Sequence, residues 1–142
     1  AMQTTRQGGV SVAPYGSLNL GSHVGDMPLA VARNRNSLNT LIPTEPLWLE
    51  QVHGTKVANA DNASCRPQAD ACIARQRAAV CVVLTADCLP VFLCDQQGCV
   101  VGAVHAGWKG LLAGVIETTV DAMQVAPQNL MAWLGPAISQ QA

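Results

Sequence analysis

The chain has 142 residues, 49% of them hydrophobic and only 12% charged, with 8 Lys/Arg against 9 Asp/Glu. A net charge of −1 without a basic stripe argues against a nucleic-acid binder, and the apolar content rules out a disordered chain. No apolar run reaches the roughly 18–20 residues of a membrane span, because the best candidate, Ala78 to Ala86, is stopped by Asp87.

Residues 1–26 are rich in Gly, Ser and Asn, with Pro14-Tyr15-Gly16 as a turn signal. They predict short strands and loops that bury Val10, Val12, Leu18, Leu20 and Val24. A helix is expected from Pro28 to Leu41, with Leu29, Val31, Ala32, Leu38 and Leu41 roughly on one face, Asp26 as N-cap and Pro28 in the first turn. Pro43 and Pro46 then break the chain before a strand from Leu47 to Val52.

Ala78–Leu84, Pro90–Cys94 and Cys99–Ala106 are apolar runs bounded by polar residues or Gly, and they predict buried strands. Asp95-Gln96-Gln97-Gly98 joins the last two with hairpin composition. Beyond His105 the period changes to 3.6: Leu112, Val115, Ile116, Thr119, Val120 and Met123 share a face opposite Glu117, Asp121 and Gln124. Pro127 ends that helix, and Leu130–Leu134 predicts a final strand.

The length fits one domain over residues 1–142, or a large part of one. Six cysteines, several within apolar runs and none in a C-x-x-C pair, read as thiols of a reducing compartment. With no charged-then-apolar leader pattern, a cytoplasmic location is expected.

Three groups stand out, each at the end of an apolar run and followed by a turn: His53 before Gly54, Cys88 within Thr85-Ala86-Asp87-Cys88-Leu89-Pro90, and His105 opening Ala106-Gly107-Trp108-Lys109-Gly110. Strand ends that feed loops are where α/β proteins place ligand-contacting side chains. Two imidazoles and a thiolate suit zinc, and three protein ligands leave a fourth position open, as catalytic sites do. Other readings use the same residues. Cys88 with His53 or His105 makes a nucleophile pair, and Gly107–Gly110 makes an anion-binding turn or a plain strand-to-helix connection. Multicopper chemistry needs more than the three histidines present, and there is no H-x-H pair.

Ordered motifs run through the whole chain: Thr5-Arg6-Gln7-Gly8-Gly9-Val10-Ser11, Ser17-Leu18-Asn19-Leu20-Gly21, His23-Val24-Gly25-Asp26 and Asn34-Arg35 come first. Trp48-Leu49-Glu50-Gln51-Val52-His53-Gly54, Ala69-Asp70-Ala71, Thr85–Pro90, His105-Ala106-Gly107-Trp108 and Leu134-Gly135-Pro136-Ala137-Ile138 follow. In these the chain resembles the YfiH family, also called the laccase-domain or polyphenol-oxidase-like family. The resemblance implies an α/β (mixed α+β) fold of mixed sheets flanked by helices. It also implies a purine nucleoside phosphorylase for adenosine, inosine, guanosine and methylthioadenosine, with adenosine deamination as a second activity.

By the same resemblance the metal ligands are His53, Cys88 and His105, holding zinc, with copper the weaker expectation. Asp87 and Asp70 are candidates for proton transfer, Asp87 equally for orienting an imidazole. Arg35 and Lys109 are candidates for the phosphate, with Gln51 as a neutral donor. The implied partners are a small nucleoside and phosphate, with neither nucleic acid nor membrane; oligomeric state is not legible. Alternative activities are hydrolysis of a UDP-MurNAc-L-Ser peptidoglycan precursor and copper-dependent phenol oxidation. A non-catalytic zinc module would instead recruit a fourth ligand from Cys65, Cys72, Cys81, Cys94 or Cys99. The chain departs from the family in carrying Lys109 where Arg is usual, and lysine lacks the bidentate fork. The family domain also continues past Ile138, so an open C-terminal end at Ser139–Ala142 is expected.

Overall fold

The structure, a computed structural model, describes residues 1–63 and 65–139. The expected open end at 139–142 therefore falls almost wholly outside the described residues. Two compact units divide the chain, Ala1–Glu45 and the part from Pro46 onward.

The first unit contains one helix, α1 (Pro28–Leu38), with Pro28 in its first turn as expected. Its N-cap is Met27 and not Asp26. Asp26 stands one residue earlier, where its carboxylate accepts from the Met27 N–H, the Ser11 hydroxyl and the Asn19 amide. The helix also stops three residues short of Leu41 and buries Val31, Asn34 and Leu38, whereas Leu29 and Leu41 are exposed.

The expected strands in 1–26 do not form, and Val10, Val12 and Val24 face solvent. Scattered backbone bonds, such as Ser11 N–H to the Ser17 carbonyl and Ser17 and Leu18 N–H to the Arg6 carbonyl, are supplemented here by side chains. Fully buried Asn34 accepts from the Val10 N–H and donates to the Ser11 hydroxyl and the Ser17 and Asn19 carbonyls. Arg6 donates twice to the Gly16 carbonyl.

The second unit is built on five strands: β1 (Val57–Asn59), β2 (Ala71–Ala74), β3 (Leu89–Asp95), β4 (Val101–Ala106) and β5 (Leu130–Leu134). Their order is β1-β2-β4-β3-β5, with β1/β2 parallel and the other pairs antiparallel. The mixed sheet with its helices is the α/β class expected. The β3–β4 turn is tied by Asp95, whose carboxylate accepts from the Cys99 and Val100 N–H groups.

Alternation along the strands gives the sheet two faces. Ala71, Ile73, Val91, Leu93, Val104 and Ala106 pack with Val115 and Met123 of α3 (Val115–Met123). Cys72 and Ala103 pack instead with Leu49 and Ala69, joined by Leu47, Cys81, Val83 and Phe92.

Two expected strands of the second unit are absent. Leu47–Val52 and Ala78–Leu84 run extended but share only the isolated bridge Leu47–Cys81, with a second bridge from Glu50 to Gln68. A side chain completes the pairing: the Gln51 amide donates to the Leu84 carbonyl and accepts from the Leu84 N–H. The expected single helix after His105 is also two, α2 (Trp108–Leu112) and α3, parted at Gly114. Gly114 takes φ +90°, a left-handed conformation that side-chain-bearing residues resist, and Leu112 is left 83% exposed. A short 3₁₀ turn over Pro127–Asn129 then leads into β5.

Candidate metal centre

The antiparallel pairing around β4 explains why distant residues meet. His105 is the penultimate residue of β4 and pairs with Pro90, so Cys88 lies one step beyond the first residue of β3. On the other side Val104 pairs with Ala71, which sets Asp70 beside His105, and the His105 N–H donates to the Asp70 carbonyl at 2.7 Å. β2 and β3 begin at the sheet end where β4 finishes, so Asp70, His105 and Cys88 collect there.

His53 reaches the same place from a turn. Its φ is +59°, uncommon for a non-glycine residue. Three successive N–H groups of this turn converge on one carboxylate. Asp70 accepts from His53 at 2.8 Å through Oδ1, and from Val52 at 3.1 Å and Gly54 at 2.7 Å through Oδ2. Oδ1 also meets His105 Nδ1 at 2.9 Å. Burial alone pushes the Asp70 carboxyl up, but His105 and the Gly54, Val52 and His53 amides outweigh it and hold it below the usual carboxylate range. Asp70 is thus a buried anion spent on holding the turn and the imidazole, and it has no solvent-facing surface.

One potential ligand atom from each of His53, Cys88 and His105 lies within 4.8 Å of the other two. His53 Nε2 is 3.8 Å from Cys88 Sγ, and the two imidazoles meet edge to face at 4.7 Å. Because Asp70 engages His105 Nδ1, Nε2 is the nitrogen left for a ligand role. Burial, followed by the neighbouring Asp87 carboxylate and then by Asp70, pushes the Cys88 thiol up. A bound cation would counter this by favouring the thiolate.

The donor set therefore fits a metal, in three-ligand form. Gly107 shows how closely the chain is fitted around it: a Cβ there would stand 2.7 Å from His53 Cδ2 and 3.0 Å from Cys88 Sγ. None of Cys65, Cys72, Cys81, Cys94 and Cys99 belongs to this group among the described residues, and all six cysteines are free.

The remaining candidates are distributed differently. Asp87 is exposed beside Cys88. The Gln51 amide is engaged with Leu84 on both its oxygen and its nitrogen. Lys109 is exposed on α2, its ammonium 5.6 Å from the centroid of the Trp108 ring. Arg35, in the first unit, donates through Nε and Nη2 to the Leu20 carbonyl. What the sequence reading missed is β2, with the part Asp70 plays in front of it, and the steric reason for Gly107. The apolar run Ala71-Cys72-Ile73-Ala74 was the available signal for the strand.

The whole chain, residues 1–142, matches the family described as multi-copper polyphenol oxidoreductase laccase. It is 50% identical over 142 residues to a Pseudomonas aeruginosa protein named purine nucleoside phosphorylase, covering 100% of this chain and 58% of that protein. It is likewise 50% identical over 147 residues to the Escherichia coli K12 protein named purine nucleoside phosphorylase YfiH, covering 100% of this chain and 60% of that one. The chain thus spans 58–60% of the length of these curated relatives. Among solved structures, a Neisseria meningitidis protein is similar with TM-score 0.95 and 50% identity, over 98% of this chain and 58% of that one. YlmD from Geobacillus stearothermophilus is similar with TM-score 0.87 and 31% identity, over 95% and 56%.

Proposed function

Because the chain belongs to this laccase-type family, with YfiH among its relatives, we propose that it carries the zinc centre of a purine nucleoside phosphorylase that also deaminates adenosine. The substrates in this reading are adenosine, inosine, guanosine and methylthioadenosine. The observation that carries it is the meeting of His53, Cys88 and His105 within 4.8 Å in a chain whose relatives bear that name.

Zinc is favoured over copper because two imidazoles with a thiolate match its borderline-soft preference, and a multicopper cluster needs more imidazoles than three. When bound, zinc supplies Lewis acidity at an open coordination position. The chain's own residues do the rest. Asp70 fixes the His105 tautomer and the His53 turn. Asp87, exposed beside Cys88, is the acid we assign to proton transfer. Lys109 is the cation we assign to phosphate, while the engagement of Arg35 and Gln51 with backbone groups supports a holding role for both.

Phosphorolysis exchanges the C1′–N9 bond of the nucleoside for a C1′–O bond to phosphate, and the departing base takes up a proton. The test is hypoxanthine release from inosine and phosphate by the zinc-loaded chain. Release that disappears in His53→Ala supports the reading; no release from the loaded wild type overturns it.

A further inference from the structure

We propose that Trp108 is the base-stacking residue of this centre, the surface on which the flat ring of a purine is held; the proposal rests on the nucleoside reading above. The indole is 70% exposed and belongs to neither core cluster, whereas Trp48 is buried at 9% and Trp133 is stacked on Phe92. Leaving so large an apolar ring in water is unfavourable, and neither core cluster of the described residues covers it.

Its position is fixed by what α2 touches. Two glycines face the ligand turn: Gly107, just ahead of the helix, lies against His53 and Cys88, and a Cβ at Gly110 would stand 3.0 Å from the Gly54 carbonyl. The helix is therefore seated directly on the ligand-bearing turn. Trp108 is next in chain to Gly107, and consecutive Cα atoms are 3.8 Å apart, so its Cα stands within about 8 Å of both ligands. From there an indole is long enough to reach a base held at the centre.

The ring is also electronically prepared for such a partner. The Lys109 ammonium sits over one face of the ring, 5.6 Å from its centroid, which brings a positive charge beside the indole. A purine nucleoside with a phosphate nearby presents a flat aromatic ring and an anion, which this pair of neighbours matches. Stacking of a base on an aromatic residue is sequence-tolerant, because every base has a π-face. The same Trp108 would then serve adenosine, inosine and guanosine alike.

The experiment is equilibrium dialysis of adenosine against the zinc-loaded 142-residue chain, Trp108→Ala and Trp108→Phe, with zinc content measured on each. The expected result is adenosine affinity reduced about tenfold or more in Trp108→Ala, largely retained in Trp108→Phe, and equal zinc in all three. Adenosine binding by the wild type that is unchanged in Trp108→Ala overturns the stacking proposal alone. So does a Trp108→Phe chain as weak as Trp108→Ala, or a Trp108→Ala chain that has lost its zinc. A wild-type chain that binds neither adenosine nor inosine overturns the nucleoside reading and this proposal with it.

Discussion

Asp70 Oδ1 and His105 Nδ1 lie 2.9 Å apart, with 0% and 4% of their surfaces exposed, and through this pair one carboxylate governs two of the three candidate metal ligands. The same oxygen accepts from the His53 N–H, so the turn that carries one imidazole and the strand that carries the other share an anchor. Metal affinity and local stability should therefore fall together when this anchor is altered.

Asp70→Asn is expected to show that coupling. An amide in place of the carboxylate turns one acceptor into a donor facing N–H groups, at a side chain with no exposed surface. The expected cost is about 2–3 kcal/mol of stability, from weakened charge-assisted hydrogen bonds and a buried mismatch. Urea unfolding followed by fluorescence, with zinc content on the same samples, checks it; a variant with wild-type midpoint and wild-type zinc would contradict it.

Gly107→Ala should separate affinity from fold. The nearest atoms the added methyl meets are in the His53 ring and the Cys88 sulfur, so the ligands themselves must give way. Zinc affinity is expected to drop on the order of tenfold or more, as when groups supporting a metal site are changed. Competition with a chromogenic chelator reads this, and far-UV circular dichroism should stay unchanged.

Asp95 supplies a pH dependence away from the centre. The Val100 N–H, followed by Cys99, holds its carboxyl below the usual range against the effect of burial. A depressed carboxylate stabilises the fold above its unfolded value near pH 4, and that contribution is lost as pH falls through the folded value. Unfolding midpoints between pH 7 and pH 3 should fall more steeply for the wild type than for Asp95→Asn. Parallel curves would show that the turn carboxylate contributes nothing to acid sensitivity.

Asn34→Ala tests the first unit by itself. The side chain joins the Val10 amide to Ser11, Ser17 and Asn19; its removal takes the acceptor from the Val10 N–H and a donor from the Asn19 carbonyl, while Ser11 Oγ keeps Asp26 and the Ser17 carbonyl keeps the Ser11 N–H. Amide protons around Val10 and Ser11 should exchange with solvent at least tenfold faster, which hydrogen exchange measures residue by residue.

These sites also show where the sequence was informative. β3, β4 and β5 were legible because apolar runs bounded by Asp, Gly and Pro leave little choice, and α1 announced its start at Pro28. Leu47–Val52 and Ala78–Leu84 carried the same apolar signal, yet strand character also needs a pairing partner, and there the Gln51 side chain supplies it. The helix break at Gly114 was masked because Leu112 fits the periodicity of the following face while projecting into solvent.

For the centre, the three ligands could be named from residue type and position at the ends of apolar runs. Their convergence could not, since it depends on the register that sets Pro90 opposite His105 and Ala71 opposite Val104. Asp70 offered its residue type and its place in the Ala69-Asp70-Ala71 motif, which suggested proton transfer. Its part as the anchor emerges once the turn of Val52, His53 and Gly54 is folded back onto it.

The most direct test of the central claim is the metal content of the chain purified without added metal, read by elemental mass spectrometry beside Cys88→Ala. One zinc per chain in the wild type, lost in Cys88→Ala, is the result expected of a centre formed by His53, Cys88 and His105. A wild-type chain without metal, or one whose metal survives in Cys88→Ala, would contradict it.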